Sequence, residues 1–208
     1  MASPFVLSVL VFGVSFGILA RAAGWGIAAP IVMSATTFAG SAQFAAVSVM
    51  GVGGAPAAAI VAALLLNSRY LAMGVSVAPS LTGSPLRRGL IGHLIVDESW
   101  ALSNSGEGRF DVPTLVGVGV LLYVGWILGT TAGVLGGGAF GDPAKLGLDA
   151  AFPALFLALL VPQAKRSRRA LQAAVLGGVI AFVLIPLTPP GVPIIAASAA
   201  CLLGLRRE

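Results

Sequence analysis

Charge is scarce in this chain. Asp, Glu, Lys and Arg together make up 9% of its 208 residues, and there is one His and one Cys. A soluble domain carries roughly 25% charged residues, so this chain cannot cover a water-facing globular surface. A single cysteine excludes an internal disulfide and leaves Cys201 as a packing residue. One Cys and one His without ligand spacing exclude a conventional metal centre, and nothing in the sequence asks for a cofactor. No polar stretch is long enough for a soluble domain. The apolar runs are continuous rather than alternating, which excludes a β-barrel. No basic stretch precedes Pro4–Ala20, so this segment reads as a retained helix rather than a cleaved signal peptide.

What is present is hydrophobic length. Apolar residues make up 58% of the chain, and the mean hydropathy is +1.01. The expected fold is an all-α polytopic membrane protein, one transmembrane domain over residues 1–208. Apolar segments run over 4–20, 25–50, 56–80, 90–103, 113–135, 148–162, 171–187 and 191–205. The net charge is +5, and basic residues gather at Arg87-Arg88, at Lys165 to Arg169 and at Arg206-Arg207. Such clusters are orientation signal and lipid contact rather than nucleic-acid binding, and they place these loops and the C-terminus in the cytoplasm. Segment 90–103 then has both flanks cytoplasmic and is too short to cross, which predicts a re-entrant helix. About seven crossings follow, with the N-terminus outside.

An internal repeat is also suggested, with halves 4–103 and 113–205. Pro4, Gly13 and Gly17 in one segment echo Pro113, Gly125 and Gly129 in another. Each is followed by a segment interrupted by helix-weakening residues, Gly40 and Ser41 in one half, Pro153 and Pro162 in the other. On this topology the leading segments run in opposite directions, the pattern of an inverted repeat. The alternative is that glycine-rich apolar helices simply look alike.

Arg69 lies near the middle of the run from Pro56 to Pro79. A guanidinium at that depth costs at least ~2.5–3.5 kcal/mol on insertion scales. It is kept where it pairs, lines a wet cavity or works on a ligand, and it offers a carboxylate a two-pronged hydrogen bond. Asn67 and Tyr70, at i and i+3, share a helical face from which Arg69 points away. Either the helix opens there or its faces serve different neighbours. The structural alternative is an ion pair with Asp97 or Glu98.

In Phe38-Ala39-Gly40-Ser41-Ala42-Gln43-Phe44, Gly40 and Ser41 weaken the helix. An opened turn presents free N–H groups at the positive end of a half-helix, which hold a carboxylate well. Gln43 adds a donor and an acceptor, and Phe38 and Phe44 an apolar wall. The competing reading is close helix packing, with Gln43 as an interhelical hydrogen bond. Asp97 and Glu98, adjacent carboxylates in an apolar hairpin, are expensive unless paired or protonated, which suits a proton carrier or an ammonium-binding group. His93, four residues before Asp97, extends this to a proton relay or is an interfacial residue. Gly13-Val14-Ser15-Phe16-Gly17 matches the G-x-S-x-G pattern of serine hydrolases, but it lies in an apolar helix instead of a strand–turn–helix. A small-residue packing face fits better than a hydrolase using Ser15 and His93, and no enzyme is expected.

Taken together, four strings resemble the AzlC-type (azaleucine-resistance) branched-chain amino-acid permease family, large subunit. They are Phe38 to Phe44, Asn67-Ser68-Arg69-Tyr70-Leu71-Ala72-Met73-Gly74 running on to Pro79, Asp97-Glu98-Ser99-Trp100, and Phe152 to Leu157 before a basic loop. The resemblance covers essentially the whole chain. It implies a bacterial inner-membrane exporter of valine and related amino acids, acting with a small hydrophobic partner of the AzlD type. Tyr70 departs from the family, whose members often carry His after the arginine, and the chain starts closer to its first helix than is common there.

Residue chemistry and resemblance agree on a zwitterionic ligand. Arg69 and the Gly40–Ser41 backbone would hold its carboxylate, with Gln43, Asn67 and Tyr70 alongside. Asp97 or Glu98 would hold the ammonium, and Phe38 and Phe44 would face an aliphatic side chain. Proton-coupled secondary transport is the expected mechanism. The rivals are a passive small-solute or anion channel and a non-transporting scaffold subunit.

Overall fold

The computed structural model describes residues 3–106, 108–137 and 167–200, together with Ala154, Leu157, Leu160, Val161, Ala164, Lys165 and Leu202. The apolar segments fold as helices. α1 spans Ser3–Ala22, α2 Ala28–Thr37 and α3 Gly40–Gly51. α4 (Pro56–Asn67), α6 (Pro85–His93), α8 (Val112–Gly136) and α10 (Val192–Ser198) carry proline in the first turn, where its missing N–H leaves no bond unmade. α5 (Arg69–Val77), α7 (Asp97–Ser103) and α9 (Arg168–Leu184) complete the described helices. Side-chain caps fix three starts: Ser84 accepts from the Arg87 N–H, Asp111 from Thr114 and Ser167 from Ala170. A two-stranded hairpin, β1 (Asn104–Gly106) and β2 (Arg109–Phe110), is the strand structure among the described residues.

The fold is thus that of an all-α membrane protein. The stretches Pro56–Ser80 and Val112–Gly136, of 25 residues each, are long and apolar enough to cross a bilayer by length and composition. At 1.5 Å per residue each reaches about 37 Å, against a hydrocarbon core of about 30 Å.

α1 and α8 pack most closely. Gly13 lies on Gly129, Gly17 on Gly133 and Gly137 on Ile18, so residue numbers rise together along the contact and the two helices run parallel. A Cβ on Gly13 would stand 2.8 Å from the Trp126 carbonyl oxygen; one on Gly133 would collide with the Val14 carbonyl oxygen. Small residues four apart on both helices allow this backbone approach. The expectation that these two segments run in opposite directions therefore does not hold: α1 starts toward the Val112 end of the bundle, on the same side as the Arg109 loop and not across from it as an outside N-terminus requires.

Two hairpins enter from opposite ends. In the first, α2 and α3 fold back on each other: Gln43 reaches Ser34, and Gly51 returns beside Ala23, where a Cβ on Gly51 would stand 3.6 Å from the Ala23 Cβ. In the second, α6 and α7 start and finish beside Phe110 and Asp111. Arg87 and Phe110 line one open groove there, and the Asp111 N–H donates to the Ser103 carbonyl at 2.8 Å. The α4–α5 pair runs between the two ends, from Ala58 near Gly191 to Ser80, whose hydroxyl accepts from the Phe110 N–H. Segment 25–50 is accordingly two short helices that part beside the weak point expected at Gly40 and Ser41, whereas segment 90–103, expected as one short re-entrant helix, is the end of α6 followed by α7. Segment 148–162 (with Pro153 and Pro162), Cys201 and Arg206-Arg207 lie largely or wholly outside the described residues.

The turn of the second hairpin, Leu94–Val96, rests on Ser99. Val96 occupies the N-cap position of α7 with no side-chain acceptor of its own, so the Ser99 hydroxyl reaches back to accept the Val96 N–H at 2.9 Å and lies 2.7 Å from the Leu94 carbonyl. Ser99 is fully buried. Ser99→Ala leaves that N–H unpaired and should cost ~1–3 kcal/mol, read as a lower unfolding temperature in detergent. An unchanged melting curve would remove this role.

Candidate functional site

Breaks between helices converge midway along the bundle. The first is at Phe38, held in the left-handed region (φ 42°, ψ 51°), followed by extended Ala39. A bulky residue rarely adopts this conformation. It ends α2 and opens α3 at Gly40 with no side-chain cap, so the first N–H groups of α3 lack intrahelical acceptors. The second break is at Ser68, where the helix tightens into i→i−3 bonds: Ser68 N–H to Leu65 O (3.3 Å) and Leu71 N–H to Ser68 O (3.1 Å). The third is Leu94–Val96, after which α7 begins with Asp97 and Glu98.

Arg69 joins them. Its Nη2 lies 2.7 Å from Asp97 Oδ2 and donates to Ser41 Oγ at 3.1 Å and to Tyr70 Oη at 3.4 Å, with the guanidinium carbon 5.1 Å from the Tyr70 ring centroid. One cation thus ties α3, α5 and α7 together. The Arg69 and Asp97 side chains are 32% and 37% exposed, so the pair opens onto free space. Arg69 Nε and Asn67 Oδ1 are buried with no hydrogen-bond partner among the described residues.

That space is a cavity of about 120 Å³, comparable with engineered cavities of ~150 Å³ that take up benzene. Ser8, Ser41, Arg69, Tyr70, Asp97 and Glu98 form its polar part, with Gly40 at the start of α3. Phe38, Val9, Phe12, Val96, Leu122 and Trp126 give apolar walls.

Other residues singled out by sequence sit elsewhere. Gln43 is fully buried behind the cavity, accepting from Trp126 Nε1 and donating to Ser34 Oγ, both at 2.9 Å. Phe44 packs in the core against Phe16 and Trp126. Asn67 stands in the last turn of α4, outside the lining. His93 is exposed, its ring 6.1 Å from Phe38 and 5.5 Å from Tyr123. The chain leaves the helix after His93, so the four-residue spacing to Asp97 does not place the two on one helical face. The Ser15 hydroxyl donates back to the Val11 carbonyl inside α1.

Sequence reasoning missed Ser8, Val9, Phe12, Leu122 and Trp126, which come from α1 and α8, and Val96 in the turn before α7. The signal available was Trp126 itself, since tryptophan in spanning helices gathers at interfaces and here stands mid-segment.

Comparison with known proteins bears on this arrangement. The family described as AzlC protein matches residues 4–140. An Archaeoglobus fulgidus membrane protein is 32% identical over 201 residues, 95% of this chain and 87% of its own length. A Helicobacter pylori membrane protein is 28% identical over 185 residues, covering 88% and 80%. The branched-chain amino acid transport protein AzlC of Bacillus subtilis is 27% identical over 172 residues, covering 80% and 66%. No solved structure matches.

Proposed function

Because the chain belongs to the AzlC protein family, we propose that it is a secondary transporter of branched-chain amino acids such as L-valine, with Arg69 receiving the substrate carboxylate. The observation that carries this reading is the Arg69–Asp97 pair, 2.7 Å apart in an apolar-walled cavity where broken helices meet. Discontinuous helices at mid-membrane are the usual setting of transporter sites, with half-helix N-termini turned to anionic groups. A zwitterion matches the pair charge for charge. Its carboxylate takes Arg69, Ser41 and the N–H groups opening α3; its ammonium takes Asp97, with Glu98 beside it. In the empty protein the two side chains neutralise each other, and the substrate exchanges partners with both. The name of the Bacillus subtilis relative supports the substrate class.

The proposal extends to export across a bacterial inner membrane, to coupling with the proton gradient through Asp97 or Glu98, and to a small hydrophobic AzlD-type partner. The basic end bearing Arg87, Arg88 and Arg109 is taken as cytoplasmic. The α2–α3 hairpin then enters from outside and the α6–α7 hairpin from the cytoplasm, their tips flanking Arg69 from opposite sides. A long apolar helix followed by a hairpin occurs over 3–51, and a spanning stretch of the opposite direction followed by a hairpin over 56–103, which supports reading the repeat within the first half of the chain.

Efflux of labelled valine from preloaded bacterial cells, with and without the small partner, tests this. Efflux that collapses with the proton gradient is expected. Its absence in every pairing would overturn the reading, and flux that never runs against a gradient would mark a channel.

A further inference from the structure

One wall of the cavity is held in place by an interaction that no transport chemistry requires. Trp126 is 5% exposed; its ring stacks on Phe16 (centroids 6.1 Å, 21°) and meets the edge of Phe44 (6.2 Å, 74°). Its benzo edge lies on the first residue of α3: a Cβ on Gly40 would come within 2.9 Å of Trp126 Cη2. Nε1 donates to Gln43 Oε1, Gln43 Nε2 donates to Ser34 Oγ, and Ser34 Oγ shares a hydrogen bond with Thr130 Oγ1, each at 2.9 Å. Thr130 stands one turn after Trp126 on α8, so the chain of bonds closes on its starting helix. Gln43, Ser34 and Thr130 are all fully buried. A buried network with every member satisfied fixes geometry more firmly than apolar contact alone. The indole is therefore a wall that cannot swing aside without leaving buried polar groups unpaired.

Resting on the transport reading above, we propose that Trp126 is the specificity-determining residue for side-chain size, and that Gln43 is a positioning residue acting through it. With the ligand's charged groups held by Arg69 and Asp97, its side chain meets the apolar walls, which include Phe12, Phe38, Leu122 and Trp126, and the indole bounds that space. Short aliphatic side chains fit against it, and aromatic ones are turned away. The two-donor, one-acceptor amide of Gln43 lets it receive the indole N–H and still give a hydrogen to Ser34.

The test is competition binding on the purified full-length chain in lipid nanodiscs, with labelled valine displaced by unlabelled valine, leucine or phenylalanine. Phenylalanine should compete poorly in the wild type. Trp126→Ala should raise the phenylalanine-to-valine affinity ratio at least about tenfold, the lower end of what a changed hydrophobic pocket delivers. Trp126→Phe should shift it less, in the same direction. Gln43→Met should reproduce the Trp126→Phe shift, and the double variant should add little to either, a non-additivity that a loss of stability alone would not produce. Valine binding with an unchanged ratio in Trp126→Ala and Trp126→Phe overturns the proposal; if the alanine variant fails to fold, the phenylalanine variant decides. A wild type that binds no amino acid fails differently, removing the transport reading and this inference together.

Discussion

Arg69→Ala will abolish amino-acid transport while the protein still reaches the membrane. The substitution removes the cation that pairs with Asp97 at 2.7 Å and the donor to Ser41. Charge-assisted hydrogen bonds contribute about 1.5–3 kcal/mol each, so loss of carboxylate recognition alone should weaken binding by roughly 10- to 150-fold. Asp97 is left without its partner, and breaking a buried pair from one side costs up to ~3–5 kcal/mol. The Asp97 side chain is 37% exposed to the cavity, which lowers that cost and lets the chain fold. Arg69→Lys keeps the charge but offers a substrate carboxylate no planar two-pronged fork, so it too should lose most activity. Valine flux in proteoliposomes, normalised to inserted protein, reads both variants. Near-normal flux in Arg69→Ala would end the role assigned to this residue. Full activity in Arg69→Lys would mean that charge alone suffices at this position.

The second large effect lies in the α1–α8 contact. A methyl group on Gly133 would meet the Val14 carbonyl oxygen, and one on Gly17 the Thr130 carbonyl oxygen. Both obstacles are backbone, which cannot rotate away as a side chain does. Gly133→Ala and Gly17→Ala should each destabilise the fold by about 1–3 kcal/mol or more, because the helices must separate along their whole seam. Gly117→Ala on α8 is the control: nothing lies within 4 Å of a Cβ there, and alanine favours a helix over glycine by up to ~1 kcal/mol. Thermal unfolding in detergent should show a marked loss for the first two and none for the third. Equal behaviour of all three would mean that α1 and α8 do not pack as described.

Much of the site is legible in the sequence because its residues are out of place there. Arg69, Asp97 and Glu98 stand out against an apolar background, and the cost of burying charge makes their pairing readable before any fold is known. Gly40 and Ser41 mark a weakened helix, and α3 opens at Gly40. The break itself falls at Phe38 and Ala39, where no propensity signals it: Phe38 is held in a left-handed conformation by its packing against His93 and Tyr123. Gln43 illustrates the opposite limit. An amide in an apolar segment is equally suited to a ligand or to a neighbouring helix, and only its distances to Trp126 and Ser34 assign it to helix packing.

The order of residues alone determined that this is an all-α membrane chain, since so little charge cannot clothe a soluble surface and the apolar runs are continuous rather than alternating, and that Arg69 must have a partner, since an unpaired guanidinium is costly in hydrocarbon. The tertiary structure decided which carboxylate that partner is, which way α1 runs against α8, and that Trp126 walls the cavity. The physical reason is one of range. Hydropathy and burial cost belong to each residue by itself, whereas direction, pairing and cavity shape arise between segments, such as α1 and α8, that lie far apart in the chain and are joined only by packing.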